Sequence, residues 1–264
     1  MSVRDRWDAG DSYERYIGRW SRRVALDFVA WLECPPGLSW LDVGCGTGAL
    51  SAAVLDRAQP SAMFAVEPSD GLRQTAIASL GERATVLAGD AASILLESAA
   101  VDVVVSGLVL NFVPDRAAAL QEMKRVMRPG GTIAGYVWDY AGKMELLRAF
   151  WDAAGEVDPV ARDLDEATRF PLCGAEPLRA MFESGALAEV LVRPIDVPTP
   201  FASFDELWEP FLGGQGPAPA YVASLSPEDR ERLRERLRLA LPVAPDGSIS
   251  LMARAWAVRG KLPI

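Results

Sequence analysis

The spacing of hydrophobic positions divides the chain into two stretches. Between residues 36 and 140, short apolar runs alternate with stretches of helical period. This alternation predicts an α/β fold in which helices connect the strands of a doubly wound, largely parallel sheet. In such sheets, ligands bind beside the carboxyl ends of the strands. Strands are predicted at 39–43, 63–66, 84–87, 101–106 and 132–139.

Helices are predicted between these strands and at the amino end. Tyr13, Trp20 and Trp31 share one face of a helix over 12–33, which Pro35 ends. The sequence Arg-Pro-Gly-Gly at 128–131 indicates a turn. The connecting helices are predicted at 49–58, 71–80, 92–97 and 114–126.

The alternation loosens beyond residue 140. The segment 201–241 has no strand pattern, and we interpret it as a helical insertion or lid. Its last helix begins with Ser226 as N-cap and Pro227 as first residue, and its five arginines lie among four acids, which indicates an ion-paired, solvated face. Helices are predicted at 143–155 and 176–184, and strands at 188–197 and 249–258.

Composition excludes several classes of protein. The 264 residues include no histidine, which excludes a Ser-His-Asp triad, a Cys-His protease and a histidine-containing zinc site. The net charge of −9 argues against a nucleic-acid partner, because phosphate contacts need a basic surface. The three cysteines form no paired motif, so we expect neither disulfides nor a metal site. Reduced cysteines are typical of a cytoplasmic location, which we therefore expect.

Two further features argue for a soluble protein. The amino terminus is charged, unlike a signal peptide. The longest apolar run, 103–113, is too short to span a membrane. A monomer and a homodimer are equally compatible with the sequence.

A glycine-rich turn follows the first strand in the sequence Leu-Asp-Val-Gly-Cys-Gly-Thr-Gly, with glycines at 44, 46 and 48. Such a turn lets a ligand lie against bare backbone near the positive end of the next helix. Asp42 lies two residues before it, and its carboxylate would repel a pyrophosphate but attract an amino or sulfonium group.

Polar residues also end the next three strands. Glu67 ends the second strand, where a carboxylate can accept both hydroxyls of a ribose. Asp90 ends the third strand, where it could accept from an exocyclic amine of a base or cap the following helix. Ser106 and Gly107 end the fourth. We therefore predict that these residues meet at one edge of the sheet.

These residues also carry a family resemblance. The segments WLDVGCGTGAL, FAVEPSDGL, GDAAS, VDVVVSGLVLNFVPD and VMRPGG resemble successive motifs of class I S-adenosylmethionine-dependent methyltransferases, especially the branch similar to the ubiquinone and menaquinone enzymes. The resemblance covers about residues 10–140. It implies a Rossmann-like, seven-stranded sheet with an antiparallel last strand.

The resemblance also implies a domain organisation. Residues 1–264 would form a single methyltransferase domain that binds S-adenosylmethionine. Its parts would be a core over 36–140, a cofactor-covering N-terminal helix over 10–34, a substrate lid within 143–245 and a closing strand over 248–258.

The same resemblance assigns roles to residues of the site. Asp42 and the turn would hold the methionine part of the cofactor, and the N-terminal helix would offer Tyr16 and Arg19 to its carboxylate. Alternatively, Tyr16 lies in the core and Arg19 in solvent. The remaining contacts would come from Gly44, Cys45, Gly46 and Gly48 in the turn, Glu67 with Pro68 for the ribose, Asp90 with Ala91 for the adenine, and Ser106, Gly107 and Leu108 beside the sulfonium.

The expected reaction is methyl transfer to O, N, C or S of a small, hydrophobic or aromatic metabolite. Positioning supplies most of the acceleration for an activated donor. Several relatives have a histidine in the loop after the fourth strand, where this chain has none. If a base is needed, Asp139 is preferred over Tyr140 and Asp115, with helix capping as its alternative role.

The acceptor is expected under residues 143–241. Aromatic side chains there form either its wall or the core of the lid: Phe150, Trp151, Phe170, Phe201, Trp208 and Phe211. Two other classes of function use a similar glycine turn, an NAD(P)-dependent oxidoreductase and a protein that binds S-adenosylmethionine without methylating.

Overall fold

The computed structural model describes residues 18–213 and 216–264. Seven strands form one sheet in the order β3-β2-β1-β4-β5-β7-β6. This order confirms the doubly wound α/β fold predicted from the alternating pattern. The strands are β1 Ser39–Val43, β2 Ala62–Glu67, β3 Thr85–Ala88, β4 Val101–Gly107, β5 Met127–Trp138, β6 Ala188–Phe201 and β7 Ile249–Lys261.

The first five strands are parallel and the last is not. β1 pairs in parallel with β2 and β4, β2 with β3, and β4 with β5. Along β5 and β7 the pairing runs the other way: Gly130 N–H donates to the Leu262 carbonyl at 3.0 Å, and Asp139 N–H donates to the Arg254 carbonyl at 2.9 Å. The predicted antiparallel last strand is therefore confirmed.

The helices belong to two compact units. Among the described residues, the sheet unit comprises 21–137, 172–195 and 255–264, and the helical unit comprises 18–20, 138–171, 196–213 and 216–254. The α-helices are α1 Arg19–Leu32, α2 Ala49–Arg57, α3 Asp70–Leu80, α4 Arg116–Val126, α5 Glu145–Val157, α6 Glu166–Arg169, α7 Ala175–Ser184, α8 Phe204–Trp208, α9 Pro217–Ser224 and α10 Pro227–Ala240.

The core of the sheet unit consists of apolar side chains on both faces of the central strands. Every residue of β1 is buried, and Val103, Val104 and Val105 of β4 are at most 1% exposed. Burial on both faces is typical of parallel strands covered by helices, and it explains their continuous apolar sequence.

The core of the helical unit is aromatic. The rings of Phe150 and Phe211 stack with centroids 4.6 Å apart, and Trp151 and Tyr221 lie 5.8 Å apart. Phe150, Trp151, Trp208 and Phe211 are at most 5% exposed. These side chains therefore form the core of the helical unit, which was one of the two alternatives predicted for them. Phe201 packs on Trp20 at 5.4 Å, and Phe170 on Tyr140 at 5.9 Å.

The helix predicted at 92–97 is wrong. This segment consists of turns and bends, with an isolated bridge between Asp90 and Ser93. Side chains of α4 bind its backbone groups: Arg125 donates to the carbonyls of Ile94 and Leu96, each at 2.8 Å, and Glu122 accepts the Ile94 N–H at 3.2 Å. Tertiary hydrogen bonds replace the helical ones here.

The turn predicted at 128–131 is also wrong, because these residues lie within β5. Pairing at the amino end of β5 is irregular, with a register shift between Val101 and Val103 of β4. Gly130 and Gly131 instead pair with Leu262, just beyond the end of β7. Contacts distant in sequence therefore extend the strand through a Pro-Gly-Gly segment.

The start of α10 follows the prediction. The Ser226 hydroxyl accepts the Asp229 N–H at 3.1 Å, and Pro227 is the first helical residue. Four of the five arginines of this helix form ion pairs with acids, for example Arg234 with Asp205 at 2.8 Å and with Glu231 at 3.4 Å, and Arg230 donates to the Val222 carbonyl at 3.3 Å. The ion-paired face is confirmed. The other pairs are Arg232 with Asp229, Arg236 with Glu156, and Arg238 with Glu235.

Candidate active site

The glycine turn joins β1 to α2 within the sheet unit. The φ angle of Gly44 is +75°, a left-handed conformation that favours glycine. A Cβ on Gly44 would lie 2.6 Å from Cγ1 of Val109, so the turn packs directly against the loop after β4. The Gly44 N–H donates to the Val66 carbonyl at 2.8 Å, which ties the turn to the end of β2.

Gly46 faces open space at the centre of the turn. Its φ angle is +57°, and a Cβ there would meet no atom of the described residues within 4 Å. Its N–H donates to Glu67 Oε2 at 2.9 Å. A ligand can therefore approach bare backbone at this residue.

Asp42 lies beneath the turn and is only 1% exposed. The Ser51 hydroxyl of α2 donates to Asp42 Oδ2 at 2.8 Å. Burial raises the pKa of Asp42 from 3.8 to about 7, the Ser51 hydrogen bond opposes this shift, and the nearby charge of Glu67 adds to it. A cation placed here would favour the ionised carboxylate.

Glu67 joins the end of β2 to the turn. It is 5% exposed, and Oε1 accepts the Ser69 N–H at 2.9 Å while Oε2 accepts the Gly46 N–H. Each carboxylate oxygen has a second lone pair, so Glu67 can still accept from ligand hydroxyls. Pro68 follows it directly, at the same edge of the sheet.

The end of β4 completes the same edge. The Ser106 hydroxyl donates to the Val43 carbonyl at 2.9 Å, joining β4 to β1. Leu108 has a φ of +63°, unusual for a branched side chain, and its N–H donates to the Tyr136 carbonyl at 2.8 Å. Gly107 lies against the Tyr136 hydroxyl, 2.6 Å from where a Cβ would stand. Sequence reasoning missed Tyr136, because a tyrosine in an apolar strand gives no signal beyond burial.

Asp90 and Ala91 lie beyond the end of β3. Asp90 is exposed, and its Oδ1 accepts the Ala92 N–H at 2.8 Å, which closes a turn. The sequence left two roles open for Asp90, binding a base amine and capping a helix. The structure shows a contact of the capping kind, although no helix follows. The sheet order brings Asp90 to the same edge as Glu67 and the turn.

Three further predicted residues of the site are Tyr16, Arg19 and Asp139. Tyr16 is outside the described residues. Arg19 Nη1 contacts Glu206 Oε1 at 2.9 Å in the helical unit, and its guanidinium lies over the rings of Trp20 and Phe201, 4.8 and 5.0 Å from their centroids. Without a ligand, Arg19 is therefore ion-paired with Glu206 and stays partly exposed.

Asp139 closes the turn that leads to α5. It is 7% exposed, and its Oδ2 accepts the Lys143 N–H at 3.0 Å. A Cβ on Gly142 would lie 2.4 Å from the same oxygen. Asp139 thus makes a capping contact just before α5, and capping was the alternative to its predicted role as a base.

Cys45, within the turn, is not poised as a nucleophile. Burial raises the pKa of its thiol, and the charges of Asp42 and Glu67 raise it further. Residues 18–213 and 216–264 contain no group of three or more side chains that could hold a metal ion. They also contain no helix long and apolar enough to cross a membrane.

A separate cavity of about 340 Å³ adjoins the last glycine of the turn. Gly48, Arg22 and Leu26 line it, together with Asp56 and Ser79. It lies between α1 and α2. We call the carboxyl end of the strands, where Asp42, Glu67, Asp90 and Ser106 lie, the strand edge. Its carboxylates do not line this cavity. This cavity is therefore distinct from the place where the buried carboxylates Asp42 and Glu67 lie.

The charge of the strand edge fits S-adenosylmethionine. Asp42 and Glu67 are buried carboxylates beside a turn whose backbone is open at Gly46. This combination disfavours a pyrophosphate and suits a ligand with an ammonium, a sulfonium and a ribose.

Comparison with known proteins agrees with this chemistry. Residues 41–135 match the model of a methyltransferase domain. The chain is 28% identical over 186 residues to 2-methyl-6-phytyl-1,4-hydroquinone methyltransferase of Synechocystis sp., covering 69% of this chain and 57% of that protein. It is 29% identical over 188 residues to demethylmenaquinone methyltransferase of Staphylococcus aureus, covering 66% of this chain and 76% of that protein.

Solved structures share the fold. A protein from an antibiotic biosynthesis pathway of Anabaena variabilis superimposes with a TM-score of 0.62 at 21% identity, covering 89% of this chain and 96% of that one. Phosphoethanolamine N-methyltransferase 2 of Haemonchus contortus, in complex with S-adenosyl-L-methionine, gives a TM-score of 0.60 at 14% identity and covers 96% of this chain and 56% of that one. The chain therefore contains a methyltransferase domain over residues 41–135, is similar to quinone methyltransferases, and has the fold of S-adenosylmethionine-dependent methyltransferases.

Proposed function

We propose that the enzyme methylates a small, hydrophobic or aromatic metabolite. Its similarity to a 2-methyl-6-phytyl-1,4-hydroquinone methyltransferase and a demethylmenaquinone methyltransferase supports an acceptor of this class. The net charge of −9 supports a small molecule over a nucleic acid. The whole chain would act as one methyltransferase domain in the cytoplasm, with acceptor recognition by residues 143–245.

The observation that carries the proposal is the pair of buried carboxylates beside the glycine turn. Asp42 and the backbone at Gly44–Gly48, Cys45 included, would hold the cationic amino acid part of the cofactor, and Glu67 with Pro68 its ribose. Asp90 and Ala91 would lie at the adenine, and Ser106, Gly107 and Leu108 beside the sulfur. When bound, S-adenosylmethionine supplies a methyl group on a positively charged sulfur, and the carbon–sulfur bonding pair stays with sulfur as the acceptor's lone pair takes the methyl.

The protein's own contribution is positioning and exclusion of water. The turn is fixed from two sides, by Val66 and by Glu67, so its backbone needs little rearrangement to receive a ligand. Because the methyl donor is already activated, a general base is optional. Should the acceptor need a base, Asp139 is the candidate. Asp139→Asn would then lower kcat while changing the free energy of unfolding little.

The cofactor site is tested by binding. Asp42→Ala and Glu67→Ala should each weaken S-adenosylmethionine binding by about 1 to 3 kcal/mol, the loss expected for a charge-assisted hydrogen bond. Glu82→Ala, an exposed acid on the same unit, is the matched control. Unchanged affinity in both site variants would refute the assignment.

The acceptor is tested by product formation. The purified enzyme would be incubated with S-adenosylmethionine and a panel of hydroquinones, phenols, amines and thiols, and release of S-adenosylhomocysteine would be followed. Turnover with hydroquinones or phenols is expected. Turnover confined to nucleic acids or to charged amines would contradict the proposed acceptor class.

A further inference from the structure

Tyr136 lies at the strand edge, yet none of the sequence motifs includes it. It belongs to β5, directly across from Gly107 of β4 in the parallel register. The residue is 2% exposed. Its hydroxyl comes so close to Gly107 that a Cβ there would lie 2.6 Å from the oxygen. Glycine at 107 is therefore what allows the hydroxyl to lie over the end of β4.

The Tyr136 side chain is held in this position from two directions. Its ring packs on Phe28 of α1, with centroids 4.8 Å apart. Its carbonyl accepts the Leu108 N–H at 2.8 Å, which joins its backbone to the loop after β4. A rigid ring places the hydroxyl with little freedom, as a residue that positions a ligand requires.

The order of the strands indicates which part of the cofactor the hydroxyl would meet. Strands β2, β1, β4 and β5 lie side by side. If Glu67 at β2 holds the ribose and the turn after β1 holds the amino acid part, the reactive end lies on the side of β4. Gly107, with the Tyr136 hydroxyl above it, is the end of that strand.

We propose that the Tyr136 hydroxyl oxygen contacts the methyl-bearing sulfonium of S-adenosylmethionine. A methyl on a cationic sulfur has polarised C–H bonds, and an oxygen in van der Waals contact with it accepts weak C–H···O hydrogen bonds. The neutral hydroxyl also replaces water next to the positive charge. Tyr136 would thus help to distinguish the substrate S-adenosylmethionine from the product S-adenosylhomocysteine, which lacks both methyl and charge. This inference rests on the cofactor site proposed above.

The test compares the two ligands by calorimetry on Tyr136→Phe. This variant keeps the ring against Phe28 and removes only the hydroxyl. We expect the Kd of S-adenosylmethionine to rise about threefold to tenfold, the scale of a weak hydrogen bond to a charged group, and that of S-adenosylhomocysteine to stay within about twofold. Equal effects on both ligands, or no effect, would overturn the proposal.

Tyr221→Phe is the matched control. Tyr221 is also buried, at 6% exposure, and its hydroxyl has no hydrogen-bond partner among the described residues. Its loss should leave both dissociation constants unchanged. The variants of Asp42 and Glu67 separate the two proposals: if they weaken binding and Tyr136→Phe shows no preference between the ligands, only the inference about Tyr136 fails.

A second measurement does not depend on a stable Tyr136→Phe variant. The chain has five tyrosines, so wild-type protein labelled with ¹³C at the tyrosine ζ carbon gives few signals, and Tyr136→Phe identifies one of them. If the variant does not fold, single replacement of the other four identifies it by elimination. A larger shift of the Tyr136 signal with S-adenosylmethionine than with S-adenosylhomocysteine supports the contact. Identical shifts with both ligands contradict it.

Discussion

Ser51 donates its hydroxyl to Asp42 Oδ2 at 2.8 Å, from the first turn of α2 to the strand that precedes the glycine turn. Without this bond, burial would raise the pKa of Asp42 beyond its value of about 7. The hydrogen bond therefore sets the pH at which the carboxylate becomes available to a cationic ligand.

Cofactor affinity should therefore depend on pH. A cation favours the ionised form of Asp42, so binding below pH 7 has to release a proton and is weaker. We expect the association constant for S-adenosylmethionine to rise up to pH of about 7 and then to level off. Calorimetry between pH 5.5 and 8.5, chosen to span this pKa of about 7, measures it. Asp42→Asn should bind weakly without this rise, and Ser51→Ala should shift it to higher pH. A flat wild-type profile would contradict the role of Asp42.

The stability of the ligand-free protein should show the opposite trend. The pKa of the buried Asp42 rises from 3.8 to about 7, and burial raises that of Glu166 from 4.5 to about 7 despite a hydrogen bond from the Trp151 indole. Between these values the folded chain binds more protons than the unfolded chain, so stability falls as the pH rises. Urea midpoints should be lower at pH 8 than at pH 5, because most of this decline lies between pH 5 and the folded pKa of about 7.

Glu166→Gln should reduce this decline, because the amide is neutral at every pH. Its stability should approach that of the wild type at pH 5 and exceed it at pH 8, on either side of the Glu166 pKa of about 7. Glu82→Gln, which changes an exposed acid, should behave like the wild type at both. An equal loss of stability at both pH values would show that the charge of Glu166 is not the cause.

Alanine variants of two glycines with positive φ distinguish an effect on stability from an effect on cofactor binding. Gly46 and Gly37 both have positive φ, +57° and +84°, and a Cβ on either meets nothing within 4 Å among the described residues. Alanine at each should cost about 1 kcal/mol of stability through strain. Only Gly46→Ala should also weaken S-adenosylmethionine binding, since its methyl occupies the open side of the turn. Equal cofactor affinity in both variants would place the ligand elsewhere.

Arg19→Ala tests whether this arginine binds the cofactor's carboxylate. Its guanidinium is engaged by Glu206 and by two aromatic rings, and both partners of the ion pair are about 40% exposed. We expect less than about 1 kcal/mol change in stability and a similarly small change in cofactor affinity. Glu206→Ala is the companion variant. A loss of affinity above tenfold in Arg19→Ala alone, about 1.4 kcal/mol, would restore Arg19 to the site.

The sequence predicts the centre of the sheet well because the central strands are buried on both faces. Continuous apolar runs such as Val103–Val105 and the glycine turn with Asp42 are local signals, and the structure has a strand and a turn there. The segment 92–97 carries an equally local helical pattern. Its conformation depends on Arg125 and Glu122, about thirty positions away along the chain, and no local rule anticipates such partners.

At the strand edge, too, some residues have a local sequence signal and others are placed there only by distant contacts. Residues that end strands are identifiable by type and spacing, and Asp42, Glu67 and Ser106 do meet through the turn and the β1–β4 contact. Tyr136 is not identifiable in this way, because only the register of β5 against β4 brings it to Gly107. Asp139 is the converse case: a polar residue at a strand end whose carboxylate binds the Lys143 N–H.

The edge strand β6 limits how copies of the enzyme can associate. Pro194, Pro198 and Pro200 alternate with the buried Ile195, Val197 and Thr199. A proline cannot donate to a neighbouring strand, so these positions must turn their nitrogens away from β7, toward the open side of the sheet. Between residues 194 and 200 that side therefore keeps one amide donor, that of Asp196. Along these residues, covalent structure works against a regular intermolecular β-sheet, whatever the concentration of the protein.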